Sequence, residues 1–381
     1  MAAEAKTPTI SFERALSLLK KNAVLAIAFC AAAVSALLVP PDGEYLHYFD
    51  VKTLCCLFGT LAVVCALKNI HFFSILAGRI IRWTGNARWA ALTLIYITFI
   101  GSMLIANDMA LITFLPLGYF VFSTAGRKEE VATVFILQNI AANLGGMLTP
   151  FGNPQNLYLY AHYEIPTGEF MRVMAPPFAV AIALVSVCCL LVPRHSLRVS
   201  VKKEQDALPA ARTALYLVLF ALTILMVFRV LPVWLVLIAV VGTLLFADRR
   251  ALGMVDYGLL FTFVCFFIFA GNMGRLPAVR GFFSELLQKN TLLTAVFSCQ
   301  VISNVPSAIL LSQFTGNYAS LLTGVNIGGA GTLIASLASL ITFREYTGRY
   351  PNSAKGYILR FSALNFGFLA VMTAFCLAIG R

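Results

Sequence analysis

Charge is scarce in this sequence. Asp, Glu, Lys and Arg make up 12% of its 381 residues, about half the share of a soluble domain, which argues against an ordinary solvated surface. Acid is scarcer than base: 16 Asp and Glu stand against 28 Lys and Arg, for a formal net charge of +12. No basic stretch carries interleaved aromatics, so the surplus does not point to nucleic acid as a partner. Histidine is down to His47, His71, His162 and His195. They are scattered at predicted loops and helix ends, which gives no basis for a histidine-built metal site. The nine cysteines lie in apolar segments without a C-x-x-C pair, so neither a disulfide framework nor a zinc site is indicated. They read as small buried hydrophobes. With no nucleophile–base pair and no His-rich motif, the chain does not read as an enzyme, and no cofactor is expected. Met1–Lys21 lacks the short apolar core and small-residue cleavage site of a signal peptide.

Apolar residues fill the space that charge leaves. They make up 60% of the chain, and the mean hydropathy is +0.86. Repeated apolar runs of roughly 17–25 residues predict an all-α polytopic membrane protein with about nine spans. An amphipathic segment occupies 1–21. The first half, 22–192, contains spans at 22–39, 50–69 and 173–192, an interfacial stretch at 70–86, a hairpin at 89–122 and a broken helix at 131–161. A polar loop, 193–212, separates it from the second half, 213–381. There the spans are 213–229, 233–247, 256–274 and 356–379, with an interfacial stretch near 278–289, a hairpin at 291–315 and a broken helix at 318–342. The arms of the first hairpin, about 1.5 Å per residue, are marginal against a hydrocarbon core of about 30 Å, which favours a re-entrant hairpin with its tip at Asn107-Asp108. Placing the N-terminus in the cytoplasm leaves only Lys52, Arg172, Arg229, Arg275, Arg280, Lys289 and Arg381 among the bases outside, as the positive-inside rule requires. The C-terminus is then outside, the two halves run in opposite senses, and the expected location is a bacterial inner membrane.

Two stretches repeat. Asn143–Leu157 and Asn326–Leu340 align without a gap and share Asn143/Asn326, Gly145/Gly328, Gly146/Gly329, Thr149/Thr332 and Leu157/Leu340. Paired Gly- or Pro-interrupted segments in corresponding positions of two halves are a pointer to a transporter's binding site, because non-helical backbone at membrane depth persists only where protein or water satisfies it. Each break is matched to a hairpin tip, Asn107-Asp108 or Ser303-Asn304. Free N–H groups at helix ends attract anions and free carbonyls attract cations. Asn, Ser and Thr side chains add donors and acceptors without the full cost of a buried charge. The expected substrate set is Asn107, Asn143, Thr149, Asn153, Gln155, Asn156, Ser303, Asn304, Asn326, Thr332 and Ser336. The expected coupling-ion set is Asn107, Asp108, Gly145, Gly146, Asn304, Gly328 and Gly329. Asp108 is an acid predicted at membrane depth, hence a proton carrier or cation ligand; the blander reading is a helix N-cap. The copies are unequal. The first is rich in Pro, Asn and Gln and faces an acid, the second is rich in Ser and faces none, so the coupling ion is expected to lean on the first half.

Asn107-Asp-Met-Ala-Leu-Ile-Thr-Phe-Leu-Pro116, Gly152-Asn-Pro-Gln-Asn156, Ser303-Asn-Val-Pro306 and the Asn326–Ser339 stretch resemble the ion transporter superfamily. Within it they resemble the anion permeases, which include arsenite permeases, citrate transporters and divalent anion:sodium symporters. The resemblance covers roughly 50–379. It implies an inverted-repeat elevator carrier, often homodimeric, with Asn107 and Asn304 at hairpin-tip positions of the sodium and substrate sites. The symporters carry Ser-Asn-Thr at both tips, whereas this chain has Ala106-Asn107-Asp108 and Ser303-Asn304-Val305. The expected function is secondary transport of a small anion, a dicarboxylate or citrate first, coupled to protons or sodium. Alternatives are arsenite or oxyanion efflux, sodium/proton exchange and, from another class, an ion channel.

Overall fold

The computed structural model describes residues 23–81, 84–124, 128–190, 192–195 and 208–381. The amphipathic segment expected at 1–21 and most of the loop expected at 193–212 lie outside them. Among the described residues the elements are helices, with no strand. Seven are long and apolar enough to cross a membrane: Val51–Asn69, Ala87–Ile105, Glu130–Leu148, Thr167–Cys189, Ala210–Val227, Tyr257–Arg275 and Pro351–Ala378. Ala23–Leu38 and Val233–Ala247 are apolar but shorter, at 16 and 15 residues.

Helix starts follow from capping chemistry. The Asp50 carboxylate accepts from the Thr53 N–H at 2.9 Å and Asp256 accepts from Leu259 N–H at 2.9 Å, each occupying a donor that the first helical turn leaves free. These equivalent caps open the equivalent helices Val51–Asn69 and Tyr257–Arg275. Ala23–Leu38 stops before Pro40-Pro41 and packs on Tyr257–Arg275. Their C-terminal ends are tied by Asp42 and Arg275 at 2.7 Å. The Arg275 guanidinium holds the Asp42 carboxyl below its ordinary value. Val51–Asn69 packs on Ala210–Val227 and Val233–Ala247. Together these five, three of them long enough to span, form the long-helix group on one side of the molecule.

The other side holds the two hairpins and the two broken helices. Ala87–Ile105 and Asn107–Thr124 form the first hairpin and pack on Lys128–Gly145. That helix breaks after Gly145, passes through a 3-10 turn at Gly146–Leu148 and resumes at Pro154–His162. It resumes at Pro154, earlier than the 157 expected, because Pro is pre-organised for a first helical turn that needs no N–H. In the second half, Pro277–Ile302 is two helices joined at Asn290, whose backbone is extended at φ −164° and ψ 103°. Its side chain accepts from Leu293 N–H at 2.8 Å and so caps the hairpin arm that follows the interfacial segment. The return arm is Asn304–Leu311. The second broken helix is Tyr318–Ile327 followed by Leu337–Arg349, and the second piece runs past the 342 expected.

Each hairpin turns on a single residue of the same unusual backbone. Ala106 has φ 67° and ψ 151°, and Ser303 has φ 75° and ψ 160°. This region is essentially reserved for glycine and costs about 1–3 kcal/mol for another residue. It persists only where the surroundings dictate it.

Candidate functional site

The surroundings are the two breaks. Asn107 N–H at the first tip donates to Gly152 O at 3.1 Å, and Asn304 N–H at the second donates to Ala335 O at 2.9 Å. Gly152 and Ala335 are equivalent in the gapless alignment of the two stretches. The equivalence continues residue by residue. Thr149 Oγ1 donates to Met103 O at 2.7 Å and Thr332 Oγ1 to Gln300 O at 3.1 Å, each reaching the arm that enters its own hairpin. Asn107 Oδ1 accepts from Asp108 N–H, and Asn304 Oδ1 from Val305 N–H, both at 2.9 Å. The sequence repeat is therefore a structural repeat of hydrogen bonds.

The halves also bond across to each other. Asn143 Nδ2 donates to Ser336 Oγ at 3.0 Å, and Asn153 Nδ2 donates to Asn326 Oδ1 at 3.1 Å. Asn143/Asn326 and Asn153/Ser336 are equivalent pairs, so the crossing contacts are related by the same symmetry. Asn107 Nδ2 donates to Asn143 Oδ1 at 3.2 Å, and Asn326 Nδ2 donates to Asn156 Oδ1 at 2.6 Å. Asn156 Nδ2 in turn reaches Gly146 O, Met147 O and Thr149 O within 3.2 Å, satisfying the carbonyls that the first break frees. Asn107, Asn143, Thr149, Asn153, Gln155, Asn156, Asn304, Asn326 and Ser336 are all buried. Ser303 and Thr332 are half-buried.

The two glycines of each pair do different work. Gly145 and Gly328 have helical backbone. A Cβ on Gly145 would sit 2.4 Å from Phe99 O and 2.6 Å from Ser102 Oγ, and on Gly328 2.9 Å from Cys299 Sγ. They let each broken helix lie against a hairpin arm. Gly146 and Gly329 face the site. A Cβ on Gly146 would meet Asn153 Oδ1 at 2.3 Å, and on Gly329 would meet Asn304 Nδ2 at 3.0 Å and Asn143 Oδ1 at 3.7 Å.

The N-terminal ends of four helices, starting at Asn107, Pro154, Asn304 and Leu337, come together here. The C-terminal ends of their partners meet them. The side chains are amides and hydroxyls, and Asp108 is the one ionisable group among the expected site residues. The two halves differ in what they leave unmet. Asp108 Oδ1, Asn153 Oδ1 and Gln155 Oε1 are buried without a protein partner. All three are acceptors and all belong to the first half. The second half's Ser303, Asn304, Asn326, Thr332 and Ser336 leave no such atom.

Two residues that sequence reasoning missed support the breaks. Gln300 Nε2 donates to Gly328 O at 2.9 Å and Ala330 O at 3.1 Å, and its Oε1 accepts from Thr332 N–H at 2.9 Å. Gly331, at φ +118°, leaves room for this amide. Asn139 Nδ2 donates to Ser339 Oγ at 3.2 Å. Asn139 stands one helical turn before Asn143, a spacing that marks the same face. Gln300 carried no such signal, because its counterpart is Met103.

The citrate transporter family profile matches residues 10–323. An uncharacterized transporter of Methanocaldococcus jannaschii is 30% identical over 310 residues, covering 80% of this chain and 84% of that protein. The inner membrane protein YbiR of Escherichia coli is 31% identical over 305 residues, covering 77% and 80%. A silicon efflux transporter of Oryza sativa subsp. japonica is 31% identical over 140 residues, which is 36% of this chain and 28% of that protein.

Proposed function

The chain belongs to the citrate transporter family, and from that premise we propose that it carries a small carboxylate, citrate or a dicarboxylate, coupled to sodium or protons. It is a multi-pass membrane transporter. The observation that supports this reading best is the unequal site. Four helix N-termini bring the positive ends of their dipoles to the site and favour an anion there, while three buried oxygens of the first half, on Asp108, Asn153 and Gln155, await a cation or a donor. An anion and a cation bound side by side lower each other's cost of leaving water. In this reading Asn107, Asn143, Thr149, Asn304, Asn326 and Thr332 contact the substrate. Asp108 and the backbone around Gly145, Gly146, Gly328 and Gly329 hold the coupling ion.

Transport proceeds by elevator alternating access. The hairpin side slides against the group of long helices, in a homodimer that sits in the cell membrane with its N-terminus in the cytoplasm. The experiment is uptake of labelled citrate into proteoliposomes under an imposed sodium or proton gradient. Uptake that follows one gradient supports the reading, and citrate that does not move under either overturns it. A second reading, efflux of arsenite or another oxyanion, draws support from the lack of Lys, Arg and His among the site residues, which suits a weakly charged hydroxylated solute. Competition by arsenite, and not by carboxylates, would favour it.

A further inference from the structure

Beside the first hairpin tip, against the long helices, is a cavity of about 60 Å³. Its walls are mostly aliphatic, with Leu57 and Leu61 from Val51–Asn69, Leu259 from Tyr257–Arg275 and Leu337 and Ile341 from the second broken helix. Three of its lining residues carry side-chain oxygens: Thr60, Asp108 and Asp256, the last also capping its helix through Leu259 N–H. Thr60 is 7% exposed and its Oγ1 has no partner. Asp108 Oδ1 is buried and also has none. Asp256 lines the same cavity and is at the same time exposed to solvent. Unmet hydroxyl and carboxylate oxygens are uncommon in a folded interior and call for an explanation. The space exceeds the volume of about 30 Å³ that one water takes up in the liquid.

We propose that this cavity is a second binding station for the coupling cation, with a sodium-sized monovalent ion held between Asp108 on the hairpin and Thr60 and Asp256 on the long helices. The inference rests on the coupled-carrier reading of Asp108 and adds two residues outside the repeated motifs. The lining offers acceptors and no fixed positive charge, so it admits a cation and repels the anion. Among the described residues no third His, Cys, Asp or Glu joins the pair to make a metal-holding group, which suits a monovalent ion rather than a tightly held divalent one. The station is shared between parts that move relative to one another in an elevator, so it exists only while the first tip lies against Thr60 and Asp256. The cation and the substrate then reach the tip by different routes. The cation passes the exposed Asp256, at the end of the molecule that the charge bias assigns to the cytoplasm.

The test uses the purified full chain in detergent and needs no transport assay. The unfolding temperature is followed as sodium chloride replaces choline chloride at constant ionic strength, since an ion that binds only the folded state raises it. Asp256→Asn keeps the helix cap, because Asn caps as well as Asp. Thr60→Val keeps the shape and removes the hydroxyl, and Thr60→Ser keeps the hydroxyl. The expected result is a rise with sodium in the wild type and in Thr60→Ser, largely lost in Asp256→Asn and Thr60→Val, without a change in the unfolding temperature in choline. A wild type that does not respond to sodium, or variants that keep the full response, would overturn the proposal. Failure here leaves sodium- or proton-driven citrate uptake intact, and failure of uptake leaves the sodium response to be read.

Discussion

Asn107 and Asn304 illustrate how much one side chain can do in this molecule. Each closes its own helix start through Oδ1 and ties its tip to the break of its own half through its backbone N–H. Asn107 adds a bond to Asn143. Removing an amide from such a site strips a buried bond worth about 1–3 kcal/mol, and each 1.4 kcal/mol is about tenfold in affinity. Asn107→Ala and Asn304→Ala are each expected to lower citrate uptake by about tenfold or more at wild-type expression, measured in proteoliposomes. Full activity in both variants would remove the tips from the site. Asp108→Asn keeps the size of the side chain and discards the charge, so it should leave substrate binding measurable while uptake no longer follows the cation gradient. An unaltered gradient dependence would deny Asp108 its role. These residues were legible in the sequence because the two halves repeat them. Thr60 was not, since nothing in its apolar helix distinguishes its hydroxyl until the fold leaves it unpaired beside Asp108.

At the scale of elements, the matched tips are the informative feature. The alignment of Asn143–Leu157 with Asn326–Leu340 carried the register of the breaks, and the structure keeps it down to Gly152 and Ala335 as tip acceptors. What the letters could not carry was the division within each glycine pair. Gly145 and Gly328 are helical packing positions, and only Gly146 and Gly329 look into the site. That distinction depends on which arm lies alongside, and sequence does not say so. Nor did composition foretell that Ala106 and Ser303 would hold a glycine-like backbone. Ala106→Gly is expected to relieve that strain and stabilise the protein by about 1 kcal/mol, read as a higher unfolding temperature. Ala106→Val should lower it by more, because a β-branched side chain tolerates this region least. A destabilised glycine variant would show that the tip is not strained.

Seen whole, the molecule places the site between two cavities. One lies at the Asp256 end of Tyr257–Arg275. The other, about 370 Å³, lies at its Ala270–Gly271 end and is lined by His47, Lys52, Tyr158, His162 and Gln313. The loop after Ala210–Val227 grips the first broken helix. Arg229 donates to Tyr160 O with its guanidinium 4.3 Å from the ring centre, and Phe228 packs edge-on against Phe151 at 5.7 Å. A sliding carrier must release such contacts once per cycle. In a background freed of native cysteines, Ala106→Cys and Val305→Cys should each change reactivity toward an impermeant thiol reagent as substrate and cation are added, from opposite faces of the membrane. Labelling that stays fixed for both would contradict the elevator. The all-helical, multi-span architecture was legible from hydropathy alone. The sorting of helices into a long-helix group and a hairpin group was not, because hydropathy does not say which helices pack together.

In a carrier, a bound solute and its site move together. Solute counterflow tests it most directly. Proteoliposomes loaded with unlabelled citrate and diluted into labelled citrate should accumulate label transiently above the outside concentration, because occupied sites return faster than empty ones. No overshoot, together with unitary ionic currents from the same protein in a planar bilayer, would rule out a carrier and make the paired breaks the lining of a pore.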